Sequence, residues 1–435
     1  MAVKDTDSNS SVRLSERSLS LDSQSLSNIL SERENILIIQ DLDGVCMGLV
    51  KDPLTREIEP RYLEAAKSLG DRFYVLTNGE HIGKRGVNGI VEKALGDPPT
   101  AKQKGLYLQG LAGGGVQWQD CSGNVSHPGV SEAEMAFLEA VPTKIADCLR
   151  ELGQQLKYGL DRTKLEEYIQ ATVLDNKVSP TANLNVFHEV FKDSPQLYAE
   201  LQQEIRLLMD RLLASARERG LEDAFFVHYA PNLGRDEDGQ EIMQPAQGKD
   251  SGTTDFQFML RGGIKEVGVL VILNHYYFMQ TGNYPLGKDF NARQAPRDKS
   301  ALLTLVRDNF DPAAMPTIVG VGDTVTSKAV ETNDRLEFKR GGSDRGFLEL
   351  IQAIGREFNT DNVVVYIDSS GGEVKNRKPI ELDSSNPKEI KVIEGPGDPR
   401  DTDDPLTLNV VFPQGHPQYI DFFCQTAQAR KFDRN

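Results

Sequence analysis

Ile36-Leu-Ile-Ile-Gln-Asp-Leu-Asp-Gly-Val45 is an apolar run that ends in two aspartates one residue apart. A short β-branched run bounded by a turn residue reads as a buried strand. In an open parallel sheet, ligands bind beyond the carboxyl ends of the strands. Asp41 and Asp43 therefore fall at a site, their side chains on the same side by strand alternation, with Gly44 turning the chain away. Two carboxylates so close repel unless a cation or a proton intervenes, so the pair implies Mg²⁺, general-acid chemistry, or both. A calcium loop of the EF-hand type is excluded, because Val45 and Cys46 stand where Asp or Asn and then Gly are needed. An ordinary turn, or the Asp-x-Asp metal motif of a nucleotide-sugar glycosyltransferase, fits the string equally well.

Three further segments narrow the choice. Phe73-Tyr-Val-Leu-Thr-Asn-Gly79 is a second buried strand, ending in Thr77, with Asn78 and Gly79 in the turn. A threonine hydroxyl beside free backbone N–H groups can hold a phosphate oxygen. The following Glu80-His-Ile-Gly-Lys-Arg85 is not a P-loop: only three residues separate Gly79 from Gly83, and Arg85 replaces the Ser or Thr. Thr317-Ile-Val-Gly-Val-Gly-Asp323 is a third strand ending in a carboxylate. In Arg261-Gly-Gly-Ile-Lys265 a glycine-rich turn feeds an apolar helix running through Leu273. A lysine at that helix start places a point charge by a phosphate.

The order Asp-x-Asp, Thr, Lys, Gly-Asp resembles the haloacid-dehalogenase-like phosphatase superfamily. Longer strings are similar to the glucosylglycerol-phosphate phosphatases: Gln40-Asp-Leu-Asp-Gly-Val-Cys-Met47, Val75-Leu-Thr-Asn-Gly-Glu-His-Ile-Gly-Lys-Arg-Gly86 and Phe226-Val-His-Tyr-Ala-Pro-Asn-Leu-Gly-Arg-Asp236. Gly252-Thr-Thr-Asp-Phe-Gln-Phe-Met-Leu-Arg-Gly-Gly263 and Gly322-Asp-Thr-Val-Thr-Ser327 add to them, and the likeness runs from Ile36 to Gln428. The resemblance implies Mg²⁺-dependent hydrolysis of glucosylglycerol phosphate, yielding a compatible solute made under salt stress. It implies Asp41 as nucleophile, forming an aspartyl-phosphate. Asp43 is then the acid and base, and Thr77 and Lys265 bind the phosphoryl oxygens. Mg²⁺ is held by Asp41, the Asp43 carbonyl and Asp323. The superfamily's second acidic residue after Gly-Asp has its nearest match in Asp344, a direct or outer metal partner. Asp334, in between, is expected in a solvated loop. Phosphatases of trehalose or sucrose phosphate share this chemistry and remain an alternative. A glycosyltransferase explains neither Thr77, Lys265 nor Asp323.

The expected fold is α/β, a doubly wound, mostly parallel sheet with an inserted α/β cap, because two motifs come early and two late. Residues 1–33 are expected to be an N-terminal extension, disordered over 1–19 with a short helix over 21–33. The core is expected over 34–105 and again over 249–435, interrupted by the insertion over 106–248. Helices are expected over 132–156 and 196–219, and a loop by the site over 274–296. The insertion resembles a type-II cap, which closes over substrate and sets specificity. Asn78, Lys84, Arg85, Trp118, His228, Asn232, Arg235 and Asp236 are the candidate substrate-binding residues.

A net charge of −16 and a pI near 5.0 argue against general nucleic-acid binding. An anionic substrate is then drawn by local cations, with Lys265, Lys84, Arg85 and Mg²⁺ as candidates. Cys46, Cys121, Cys148 and Cys424 lack zinc-site spacing and fit a reducing cytoplasm. No segment has the apolar length of a membrane span or signal peptide. The partner implied is a small sugar phosphate, with functional coupling to the synthase that makes it.

Overall fold

The computed structural model describes residues 12–237, 239–248, 250–332, 335–386 and 390–432. Residues 1–11, within the segment expected to be disordered, and Asp334 lie outside the described residues.

Ile36–Gln40 is a strand buried along its whole length. Its residues alternate between two cores: Leu37 and Ile39 pack in one, Ile36 and Ile38 in the other. That is the burial pattern of a parallel strand covered on both faces. It pairs in parallel with Thr317–Gly322 on one side and Phe73–Leu76 on the other. The eight-stranded sheet runs Val410–Phe412, Val363–Ile367, Thr317–Gly322, Ile36–Gln40, Phe73–Leu76, Gly110–Ala112, Gln117–Gln119, Val125–Ser126. All pairings are parallel up to Gly110–Ala112, and the last two are antiparallel. Helices Lys265–Thr281, Lys299–Asn309 and Arg345–Phe358 supply apolar side chains to one face; Ser23–Glu32, Pro60–Leu69, Val87–Leu95 and His416–Phe432 supply the other. The fold is α/β and doubly wound. Chain order reverses beside Ile36–Gln40, so the crevice beyond its carboxyl end is the switch-point position where such folds bind ligands.

A separate four-stranded antiparallel sheet, Val173–Leu174, Thr181–Asn183, Asp255–Leu260 and Phe225–Ala230, is faced by helices between Glu132 and Glu218. The strands between Gly110 and Ser126 extend the large sheet, although the expected insertion began at 106. Asp255–Leu260 belongs to the small sheet, although the expected insertion ended at 248.

Other expectations are corrected. Residues 12–19 are ordered against the core: Leu14 is buried, and the Leu19 and Ser20 N–H groups donate to the Leu408 and Asn409 carbonyls. The short helix follows as Ser23–Glu32, capped by the Asp22 side chain. The helix expected over 132–156 is two, Glu132–Glu139 and Val141–Gly153, because Pro142 can occupy only a first turn. The expected loop from 274 starts too early, since the helix continues to Thr281 and ends at Gly282 in a left-handed cap. Within the acidic 398–404 run, Asp401 pairs with Arg340 and Asp404 with Arg345. Among the described residues no helix is long and apolar enough to cross a membrane, and all four cysteines are free.

Candidate active site

Four chain segments meet at the carboxyl ends of the central strands, around a cavity of about 150 Å³. Asp41, Asp43, Thr77, Asn78, Lys265 and Asp323 all line it. The first loop turns at Gly44, whose φ is +79°, and closes by a hydrogen bond from the Gly44 N–H to the Met47 carbonyl (2.9 Å). A Cβ on Gly44 would overlap the Asp323 carboxylate, so glycine is required both by the turn and by the close approach.

Lys265 begins its helix buried, with Nζ 2.9 Å from Asp41 Oδ1 and 2.6 Å from Asp344 Oδ1. Burial works against its charge, but Asp344 and Asp41 outweigh that and hold its pKa above the ordinary lysine value. Asp344 Oδ2 accepts from the Asp323 and Thr324 N–H groups, each at 2.9 Å. Both Asp344 oxygens are thus committed to protein donors. Asp323 differs: Oδ1 accepts from the Thr324 hydroxyl at 2.7 Å, while Oδ2 is buried without a hydrogen-bond partner, 3.8 Å from Arg377 Nε. Asp41 Oδ1 has its ion pair with Lys265 but no hydrogen bond.

Burial pushes the Asp41 carboxyl up to about 8, with Lys265 opposing the rise and Asp344 and Asp323 adding to it. Burial likewise raises Asp323 to about 6, against the pull of Arg377. The cluster is short of positive charge. Asp41, Asp323 and Asp344 offer carboxylate oxygens within 4.8 Å of one another, a set that could hold a metal ion. The unpartnered buried oxygen of Asp323 and the hard donor set fit a small divalent cation.

Asp43 stands opposite Arg56, whose Nη1 lies 3.0 and 3.3 Å from its two oxygens. Arg56 also donates to the Arg85 carbonyl. Thr77 Oγ1 accepts from the Gly79 N–H at 3.1 Å, which leaves the hydroxyl proton free to point at a ligand.

The remaining substrate-binding candidates scatter. Arg85 is buried and lines the cavity, but Nη1 pairs with Asp175 and Nη2 donates to the Gln170 carbonyl. Lys84 is exposed and outside the cavity lining. Trp118 packs between Tyr74 and His275, on the antiparallel extension of the large sheet, and is not at the cavity. His228, Asn232 and Arg235 line a neighbouring cavity of about 280 Å³ instead. His228 Nδ1 lies 2.8 Å from Glu241, an acceptor, so Nδ1 carries the proton and Nε2 accepts from Asn78 Nδ2 at 3.0 Å. Asn232 Nδ2 donates to the Tyr229 carbonyl and to Glu241, and Arg235 reaches Glu241 at 3.4 Å. Asp236 accepts from Gln240 N–H in an exposed turn, away from both cavities.

Sequence reasoning missed Arg56, Glu80 and Arg377, all in the cavity wall. Glu80 is buried and accepts from the Val178 and Ser179 N–H groups, tying the loop after Thr77 to the segment before the strand Thr181–Asn183. Arg56 and Arg377 lie in polar loops whose composition carries no signal distinguishing them from surface residues.

The family model for glucosylglycerol-phosphate phosphatase matches residues 35–427. A curated Synechocystis sp. protein, "Glucosylglycerol-phosphate phosphatase", is 54% identical over 418 residues, covering 96% of this chain and 98% of that one. Two solved structures are similar at low identity. The C. albicans trehalose-6-phosphate phosphatase C-terminal domain is 12% identical, over 94% of this chain and 98% of that chain, with a TM-score of 0.46. Aspergillus fumigatus trehalose-6-phosphate phosphatase is 10% identical, over 94% and 99%, with a TM-score of 0.36. The family match across nearly the whole chain and the identity to the curated relative make this chain a member of the glucosylglycerol-phosphate phosphatase family.

Proposed function

We propose that this chain hydrolyses glucosylglycerol phosphate to glucosylglycerol and phosphate, with Mg²⁺, as the phosphatase step of compatible-solute synthesis for salt tolerance. The observation that carries the reading is the meeting of Asp41, Thr77, Lys265 and Asp323 around one cavity, in a chain of this family. An Asp41 carboxylate oxygen attacks phosphorus in line, and the phosphorus–oxygen bond to the sugar alcohol breaks. The departing oxygen takes a proton from Asp43. Asp43 then accepts a proton from water, whose oxygen displaces Asp41 from phosphorus and regenerates the carboxylate. Thr77 and Lys265 hold the equatorial phosphoryl oxygens, where transition-state charge collects. Asp41, Asp323 and the Asp43 carbonyl would hold Mg²⁺, which would supply neutralising positive charge at the site. Asp344 is an orienting residue that fixes Lys265 and the 323–324 turn. Arg56 orients Asp43.

The small antiparallel sheet and its helices act as a cap over this cavity, excluding water during transfer. Metabolically, the enzyme follows the synthase that makes the phosphorylated precursor. Phosphate release from glucosylglycerol phosphate, with and without Mg²⁺, beside trehalose and sucrose phosphates, tests the reading. Strong Mg²⁺-dependent preference for the first substrate is expected. Preference for another sugar phosphate overturns the substrate, and no release from any overturns the chemistry.

A further inference from the structure

One part of the cavity wall takes no part in the phosphoryl transfer described above. It is built by the small sheet. Asp255–Leu260 pairs with Thr181–Asn183 so that Asp255 faces Asn183 and Gln257 faces Thr181. Residues two apart on a strand share a face, so these four side chains form two adjacent cross-strand pairs on one surface. All four line the catalytic cavity. The alternate residues, Ala182, Phe256 and Phe258, are buried in the hydrophobic core beneath. Core packing therefore fixes the register, and the register presents the polar face to the cavity.

Buried polar groups are normally satisfied, and an exception needs a reason. Asn183 Nδ2 donates to Asp255 Oδ1 at 2.7 Å, and the Thr254 hydroxyl lies 3.1 Å from Asp255 Oδ2. The Thr181 hydroxyl donates to the Ser179 carbonyl at 2.7 Å. Gln257 Oε1 is buried and has no partner. Each Asp255 oxygen, with one donor apiece, still has acceptor capacity. These four side chains thus offer a carboxylate with spare acceptor capacity and an amide whose oxygen is unpartnered, and none of them is a cation. A second phosphate or a carboxylate on the ligand would be repelled by Asp255. Hydroxyl groups, which donate, would be taken.

We propose that Asp255 and Gln257 are specificity-determining residues that accept hydrogen bonds from hydroxyls of the neutral polyol esterified to the phosphate. This rests on the phosphomonoesterase reading and adds how the leaving group is selected. A site built to bind hydroxyls rejects analogues that lack them, because its acceptors are left unpaired.

The test compares kcat/KM for glucosylglycerol phosphate with that for p-nitrophenyl phosphate, which has no hydroxyls, in wild type, Asp255→Asn and Gln257→Met. Each substitution is expected to lower the ratio of the two constants by about tenfold or more. A ratio within twofold of wild type overturns the proposal, whether both activities fall together or neither changes. Gln257→Met is volume-conserving and keeps the test decisive if Asp255→Asn does not fold. Inhibition of p-nitrophenyl phosphate hydrolysis by free glucosylglycerol, expected in wild type and weakened in both variants, is the second readout. If wild type prefers another polyol phosphate, the substrate assignment fails, and the same ratio measured with that ester decides the proposal. If wild type hydrolyses no phosphate ester, both readings fall.

Discussion

Asp344→Asn tests the proposal that Asp344 orients the site while Asp323 holds Mg²⁺. Asp344 is fully buried, and both its oxygens are engaged: Oδ1 with Lys265 Nζ at 2.6 Å, Oδ2 with the N–H groups of Asp323 and Thr324 at 2.9 Å. Asparagine keeps one acceptor and turns the other into a donor. If its oxygen serves the two N–H groups, its NH₂ faces the Lys265 ammonium; if it flips, the NH₂ faces the two N–H donors. Neither arrangement is satisfied. Breaking a buried ion pair on one side costs about 3–5 kcal/mol, because the surviving charge is left under-compensated. Lys265 retains Asp41 at 2.9 Å, which places the expected loss toward about 3 kcal/mol. Denaturant unfolding, read at the first transition with and without Mg²⁺, measures this. Mg²⁺ titration of phosphate release is run on the same protein and on Asp323→Asn, whose free oxygen is the better metal donor. The expected pattern is a large stability loss with a small shift in Mg²⁺ midpoint for Asp344→Asn, and a large midpoint shift for Asp323→Asn. A stability change under about 1 kcal/mol, with a midpoint shifted as far as in Asp323→Asn, would refute the reasoning and make Asp344 a direct ligand.

Asp41→Asn is expected to lower turnover at least about a thousandfold while the thermal transition is retained; substantial residual activity removes Asp41 from the nucleophile role. Gly44→Ala forces a left-handed conformation on a Cβ residue, at a cost of roughly 1–2 kcal/mol, and drives that Cβ into the Asp323 carboxylate. Both a lower unfolding temperature and a higher Mg²⁺ requirement should follow, and an unchanged Mg²⁺ midpoint would contradict the close approach. His81 is buried, and that burial lowers its pKa to about 4, from the ordinary histidine value of 6.5. Between those pH values the unfolded chain binds a proton that the folded chain does not. The stability this group contributes is therefore present above pH 6.5 and lost as pH falls toward 4, by about 3 kcal/mol in all. His81→Gln should remove about one proton from the pH slope of stability in that window, and an identical slope would count against it.

The strands that carry Asp41, Thr77 and Asp323 can be read without coordinates because each is a short β-branched or aromatic run closed by Gly or Asn. A strand buried on both faces has no other composition open to it. Lys265 is placed by the same local logic, a glycine turn running into an apolar helix. The helix break at Pro142 follows from a local rule as well, since proline has no N–H to give a helix interior. Arg56, Arg377 and the Thr181, Asn183, Asp255 and Gln257 wall are different. Polar residues in loops and short strands look alike whether they face solvent or a cavity, and only the pairing of segments far apart in the chain separates the two. Trp118 shows the converse: its amphipathic ring suits a sugar or a core equally, and packing against Tyr74 and His275 decided for the core. What the sequence determined by itself was the α/β sheet and the residue types of the site, since strand burial and turn chemistry are local properties. The tertiary structure decided that Asp344 grips Lys265 from 79 residues away and that the small antiparallel sheet lends a polar face to the cavity lined by Asp41 and Asp323. Those depend on how distant hydrophobic faces stack and in what register, which no local periodicity encodes.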